Sequence, residues 1–279
     1  MLCFPNCKIN LGLNVTRRRE DGYHDIETVF YPLSALASTS ADGGLKDVLE
    51  ITPAKETKIH TSGLLINGNN TDNLVWKAYE LLKSNCPGKI KPLDIYLHKI
   101  IPMGAGLGGG SADGAFMLRL LNDFFQLGYD KEHLADFALQ LGSDCPFFIY
   151  NTPKFATGRG EQMTDVTIDL SPYSIQLICP DVHVSTVTAF SEITPKPPAY
   201  NLSTLDKLSV ENWQGNIGND FEAPVFKAHP ELASIKQQLY LGDAIYASMT
   251  GTGSSVYGIF PKGKRAEVKV GVAFREFYM

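Results

Sequence analysis

At 279 residues and 44% hydrophobic content, the chain is too long for one small core and too short for three, so one large domain or two packed lobes is expected, the latter favoured. A net charge of -5 with interspersed signs, and no basic run beyond Arg17-Arg18-Arg19, excludes the electrostatic footprint of a nucleic-acid binder. No apolar stretch approaches the roughly 20 residues that span a bilayer, and "MLCFPNCKIN" lacks the basic and apolar regions of a secretory signal, so a soluble, cytoplasmic protein without membrane contact is expected.

Five scattered cysteines (Cys3, Cys7, Cys86, Cys145, Cys179) form no C-x-x-C pair and no Cys/His cluster, which disfavours structural zinc and a disulfide framework. They read as small buried hydrophobes in a reducing compartment, and no metal site is expected of them.

Taken in order, "KINLGLNV" (8–15) and "IETVFYPL" (26–33) are rich in branched and aromatic residues with the turn-like "RREDGYHD" between them, which predicts a paired-strand start. After "DVLEIT" (47–52), Thr71 or Asp72 is the expected N-cap of a helix carrying Leu74, Val75, Ala78, Tyr79, Leu81 and Leu82 at helical spacing, ending near Asn85 and Pro87. "PLDIYLHKI" (92–100) alternates as a strand and feeds the glycine loop "PMGAGLGGGSADGA". "SADGAFMLRLLNDFFQL" (111–127), apolar on nearly every side, predicts a central buried helix. "DKEHLADFALQLG" (130–142) predicts a second helix with Gly142 as C-cap.

"CPFFIY" (145–150) is expected to resume strand, and "SIQLICP" (174–180) to form a core strand. The join between lobes is placed near 151–153, dividing the chain into 1–152 and 153–279. "TPKPPAYN" (194–201) reads as a surface connection, and "PELASIKQQLYLG" (230–242) as a helix opened by Pro and closed by Gly. "AIYASM", the glycine cluster "TGTGSS" (250–255) and the strand "VYGIF" follow. The segment after "GIFPKGK" leaves room for only a reduced last helix.

Six glycines in fourteen residues at 102–115 cost too much chain entropy to lack a purpose, and backbone amides at a helix N-terminus bind anions. The Walker A pattern fails because no Lys follows Gly109-Gly110 before Ser111. Gly104, Gly106 and Gly109 match G-x-G-x-x-G, but a dinucleotide fold needs a strand after the helix, and the residue about 20 positions on is Asp130, at the start of another helix. A protein-kinase glycine loop needs a hairpin around it. What stands is a strand, a glycine loop and a helix whose N-terminus, with Ser111 at or near its cap, faces a polyphosphate. Asp113 would repel phosphate if it faced inward, so it is expected to point aside, towards a metal.

These residues resemble a known family. Pro102, Met103, Gly104, Ala105, Gly106, Leu107, Gly108, Gly109, Gly110, Ser111 and Ala112 resemble the second signature of the GHMP small-molecule kinases, P-x-x-x-G-L-G-S/G-S-S-A, which wraps ATP phosphates. "NCKINLGL" and "MTGTGSSVYGIF" resemble the family's first and third motifs, the latter through Gly251, Thr252 and Gly253. "REDGYHDIET", "LGSDCPFF" and "TGRGE" narrow the similarity to the branch whose acceptor is a cytidine diphosphate methylerythritol.

The resemblance implies an α+β, two-lobed GHMP kinase fold, with a ribosomal-protein-S5-domain-2-like N-terminal lobe and an α/β-plait C-terminal lobe closing the substrate cleft. It implies ATP as phosphoryl donor with Mg2+, a small-molecule alcohol as partner, and a catalytic pair, Lys8 and Asp144, beside Asn10. Tyr23 and His24 match the cytosine-binding residues, with Tyr23 stacking on one face of the base and Phe190, after Thr186, covering the other. Ala112 departs from the family by replacing a second Ser. Without the resemblance, Lys8 and Asp144 read first as a structural ion pair, and Phe190 reads first as core. The competing functions are another GHMP kinase, a dinucleotide-dependent oxidoreductase and an RNA-binding module, the last opposed by the acidic balance. The number of subunits is left open.

Overall fold

The computed structural model describes residues 1–33, 44–66 and 68–279. In chain order it begins with β1 (Leu2–Cys3) and the pair β2 (Lys8–Arg18) and β3 (His24–Pro32), which run antiparallel as the first two apolar runs predict. β4 (Val48–Pro53), β5 (Lys58–Gly63), α1 (Leu74–Asn85) and β6 (Leu93–Lys99) lead to the glycine loop. α2 (Gly109–Phe124), α3 (Lys131–Leu141) and α4 (Cys145–Tyr150) follow without an intervening strand. The remainder holds β7 (Lys154–Thr157), β8 (Gln162–Asp165), β9 (Tyr173–Pro180), α5 (Thr186–Ser191), α6 (Glu222–Ala228), α7 (Pro230–Leu241), β10 (Tyr246–Met249), β11 (Val256–Pro261) and β12 (Phe274–Tyr278).

These elements form two compact units. One comprises Met1–Cys7, Leu45–Met103 and Gly108–Thr152; the other comprises Lys8–Gly44, Gly104–Leu107 and Pro153–Met279. In this division residues 8–44 and 104–107 group with the C-terminal segment. Strand pairing is the cause for the hairpin: Thr28–Phe30 of β3 lies against Lys154–Ala156 of β7, a pairing between distant segments that no local pattern announces.

In the first unit the sheet order is β1-β4-β6-β5, with β5 parallel to β6 and the other pairs antiparallel. β6 buries every second residue, Leu93, Ile95, Leu97 and then Lys99. α1 buries Val75, Ala78, Tyr79 and Leu82, and its N-cap is Asn73, whose side chain accepts from Val75 N; Thr71 and Asp72, expected in that role, lie in a preceding 3-10 turn. α3 has the expected Gly142 C-cap, with Asp130 accepting from His133 N at its start.

"CPFFIY" is helical, where a strand was expected. All of Cys145, Pro146, Phe147, Phe148 and Ile149 are buried, so the run has no period by which to separate helix from strand, and Pro146 in the first turn fits a helix start.

The second unit holds two four-stranded antiparallel sheets, β2-β3-β7-β8 and β10-β11-β9-β12. Leu13, Val15, Ile178, Phe221, Leu232, Ile235, Leu239 and Phe260 share its apolar core, each worth about 1.5–3 kcal/mol when fully buried. α7 starts at Pro230 and is capped by Gly242, as predicted. The segment after residue 261 ends in β12, paired with β9, where a reduced helix was expected.

Candidate active site

Lys8 and Asn10 stand two residues apart on β2 and so face the same side. Both are buried, Lys8 at 3% exposure and Asn10 at 2%, which requires that their polar atoms be paired. Lys8 Nζ donates to Asn10 Oδ1 at 2.6 Å and to the Gly106 carbonyl at 3.2 Å, and it lies 5.1 Å from the Phe30 ring centroid. Asn10 Oδ1 also accepts from Gly251 N at 3.0 Å and Thr250 Oγ1 at 3.1 Å. Asn10 Nδ2 donates to Thr28 Oγ1 at 2.9 Å, and that hydroxyl donates to Gly12 O at 2.6 Å. The amide is therefore fixed with its oxygen towards the lysine and the third glycine motif.

In the glycine loop, Gly104, Gly106 and Gly108 take left-handed φ values of 66°, 77° and 71°. Lys8 N donates to Leu107 O and Ser255 N to Ala105 O, clasping residues 105–107 between β2 and the third motif. Asn219 completes the clasp, since its Nδ2 donates to Met249 O and Gly251 O. Thr186 and Thr252 approach through their hydroxyls at 3.2 Å. Pro102 is half-buried and Met103 exposed.

α2 then begins after Gly108, an N-cap that has no side chain to offer. Ala112 N donates to Gly108 O, so the amides of Gly109, Gly110 and Ser111 precede the first intrahelical bond and sit at the positive end of a 16-residue helix. Gly109 is packed on Ile101, Gly110 is exposed with open space where a Cβ would be, and Ser111 is half-buried. Ala112 is fully buried, so its methyl lies in the apolar interior of the first unit.

Asp144 is the N-cap of α4, with helical φ and ψ, and its side chain does not cap the helix. Burial pushes the neighbouring Cys145 thiol up to about 12, so it is no nucleophile at neutral pH. Asp113, expected to point aside towards a metal, meets a lysine: its Oδ2 accepts from Lys99 Nζ at 2.7 Å, and Lys99 Nζ also donates to Asp47 Oδ2 at 2.5 Å. Asp47 Oδ1 accepts from Ile100 N and Ile101 N. Burial drives the Asp113 carboxyl well above the usual range, with Lys99 opposing and Asp47 reinforcing that shift. Burial pulls Lys99 down, but the two carboxylates outweigh it and hold the ammonium above its usual value. Among the described residues no group of three or more His, Cys, Asp or Glu side chains is arranged to hold a metal ion.

At the β2–β3 turn, Arg19 N donates to Tyr23 O, Gly22 N to Arg19 O, and Tyr23 N to Asp21 Oδ1. Asp25 accepts from Arg17 Nε and Arg19 Nη1, which together hold its carboxyl below the usual range, Arg19 most strongly. Tyr23 is thereby held out at 57% exposure. His24 stacks on Phe190 with centroids 5.0 Å apart and planes at 25°, and Phe190 meets Phe221 edge-on. Burial lowers the His24 pKa, with the Arg18 charge adding to it.

The second unit thus gathers Lys8, Asn10, residues 104–107, Gly251, Thr252 and Thr186, and separately Tyr23, His24 and Phe190. Gly108–Ala112 and Asp144 belong to the first unit. Sequence reasoning missed Thr28, Thr250, Asn219 and Lys99; the first, second and fourth lay in quoted stretches ("REDGYHDIET", "TGTGSS" and "PLDIYLHKI") without being singled out, and Asn219 lay in none.

A strand, alternating left-handed glycines and a helix uncapped by any side chain define a phosphate-handling class of protein, and comparison with known proteins agrees. The chain belongs to the GHMP kinase family: the model described as "GHMP kinases N terminal domain" matches residues 73–152, and "GHMP kinases C terminal" matches residues 199–277. Its relatives include the 4-diphosphocytidyl-2-C-methyl-D-erythritol kinase of Bacteroides fragilis, 48% identical over 279 residues, with 98% of this chain and 97% of the relative covered. That of Parabacteroides distasonis is 48% identical over 262 residues, covering 94% and 92%. A crystal structure of 4-(cytidine 5'-diphospho)-2C-methyl-D-erythritol kinase, 29% identical, matches with a TM-score of 0.77 over 93% of this chain and 90% of that one. A homoserine kinase from Cytophaga hutchinsonii, 14% identical with a TM-score of 0.67 over 99% and 93%, shares the fold.

Proposed function

We propose that the chain transfers the γ-phosphoryl group of ATP to the 2-hydroxyl of 4-diphosphocytidyl-2-C-methyl-D-erythritol, a step of non-mevalonate isoprenoid synthesis in the cytoplasm. The observation that carries the reading is the start of α2, where left-handed glycines deliver the chain to a helix N-terminus whose N-cap, Gly108, makes no side-chain cap bond. Full-length relatives that carry this kinase name support the choice of acceptor over other alcohols.

In this reading Gly104 to Ala112 hold the ATP phosphates through backbone amides, and Asp144 accepts the proton of the acceptor hydroxyl as its oxygen bonds to phosphorus and ADP leaves. Lys8, locked by Asn10 and the Gly106 carbonyl, supplies fixed positive charge to the transferring group. Tyr23, His24 and Phe190 receive the cytosine, while Thr186, Gly251, Thr252 and Gly253 complete the surroundings. Mg2+ would be carried on the ATP phosphates: with Asp113 committed to Lys99, no carboxylate cluster among the described residues fits the ion, and no step is assigned to it.

The deciding experiment is ADP release with this substrate by wild type and Asp144→Asn. Turnover by the wild type and a loss of about 100-fold or more in the variant are expected. Absence of turnover by the wild type, with turnover of homoserine or mevalonate instead, would replace the acceptor; unchanged turnover by the variant would remove only the base role.

A further inference from the structure

The motif "TGRGE" at residues 157–161 has no part in the phosphoryl-transfer chemistry above, yet it is folded directly against the β2–β3 turn. Gly158 O accepts from Ile26 N at 2.7 Å, two residues beyond His24. Gly158 has φ of 67°, and a Cβ there would lie 2.9 Å from Glu161 Oε1, so the glycine admits the Glu161 carboxylate into the turn. Glu161 Oε2 accepts from Arg159 N at 2.6 Å, which fixes the backbone from which the arginine projects. The half-buried Arg159 then lays its guanidinium over the Tyr23 ring, 5.1 Å from the centroid. The hairpin side is equally fixed, because Asp21 accepts both from Tyr23 N and from Arg19 Nε.

We propose that Arg159 is a positioning residue for the nucleobase: it covers one face of Tyr23 and leaves the other face of that ring oriented to stack on the cytosine. A planar guanidinium suits the role because it stacks on a ring face, whereas an ammonium is a point charge. The inference rests on the proposed acceptor and on Tyr23 as its base-stacking residue. It assigns to "TGRGE" the task of holding an aromatic platform ready before substrate arrives, so that less side-chain freedom is lost on binding.

The test is a steady-state double-mutant cycle with Arg159→Met and Tyr23→Leu. Arg159→Met is expected to raise KM for the cytidine substrate about two- to fivefold, the equivalent of one cation–π contact at an exposed ring, and to leave kcat and KM for ATP unchanged. Arg159→Lys, which retains the charge without the plane, is expected to fall between, and it serves as the folded variant if the Met variant lowers the thermal midpoint. In the Tyr23→Leu background Arg159→Met is expected to add nothing. Additive losses would show that Arg159 touches the substrate by itself and would overturn the proposal, as would an unchanged KM in Arg159→Met. No turnover by wild type, or no effect of Tyr23→Leu alone, would instead strike the underlying reading and take this inference with it.

Discussion

A methyl group on Gly106 would lie 2.0 Å from the carbonyl oxygen of Thr250, so the glycine loop and the third glycine motif meet backbone to backbone. Gly106→Ala therefore faces both the clash and a left-handed φ, and is expected to cost about 3 kcal/mol with loss of most ADP release. Gly110→Ala is the contrast, since open space awaits its methyl and a helical Ala is favoured over Gly by about 0.8–1.0 kcal/mol. Urea unfolding should find it no less stable than wild type, while its KM for ATP rises. An unchanged KM for ATP in Gly110→Ala would place the phosphates away from the start of α2.

Thr28 touches neither Lys8 nor the glycine loop through any bond described above, but its hydroxyl joins Asn10 Nδ2 to Gly12 O and so anchors the far side of an amide whose oxygen is held by Lys8 Nζ, Thr250 Oγ1 and Gly251 N. Thr28→Val is nearly isosteric and leaves two buried polar groups unpaired, a cost of about 1–3 kcal/mol. Without that anchor the amide is held less rigidly against Lys8 Nζ, so kcat should fall while KM for ATP holds. Thr28→Ser should restore kcat. A Val variant with wild-type kcat would show that the bonds of Asn10 Oδ1 to Lys8, Thr250 and Gly251 suffice to orient the amide.

The parts of the fold legible in the sequence were those with a period or a punctuating residue. β2 and β3 are rich in branched and aromatic residues on either side of a turn-like run, β6 alternates, α3 ends at Gly142, and α7 starts at Pro230. α4 was misread because five of its six residues are buried, which leaves no exposed face to reveal a period. β5 and β12 escaped notice because little of either is buried, and short strands of that kind form only when a neighbour supplies the partner. At the site, the glycine loop was legible from physics alone, while the roles of Lys8, Asp144, Tyr23 and His24 came only from family resemblance.

The Lys99 cluster was hidden by distance along the chain, since its partners lie 52 and 14 residues away. One signal was available: after Leu93, Ile95 and Leu97, the next inward position of β6 is a lysine. A charge at a position in the buried phase demands a counter-charge, and Asp113 on α2 was the acidic residue whose direction the loop chemistry could not explain.

That cluster contributes a pH dependence to stability. Asp113 binds its proton more tightly folded than unfolded, because burial and Asp47 outweigh Lys99, so its contribution is present at low pH and lost as pH rises through the folded-state value. Asp113→Asn removes the second buried carboxylate and leaves Lys99 and Asp47 as a neutral pair. Relative to wild type, the variant should therefore gain stability as pH is raised from about 4, the ordinary range of an aspartate, towards 8. Lys99→Met acts the other way by leaving two carboxylates in the core, and should cost about 3–5 kcal/mol at neutral pH, less at acid pH where a carboxyl can hold its proton. Urea midpoints across that range separate the alternatives: a wild type that instead gains on Asp113→Asn with rising pH would mean that Lys99 keeps Asp113 ionised, and that the ammonium and not burial governs the charge beneath the ATP loop.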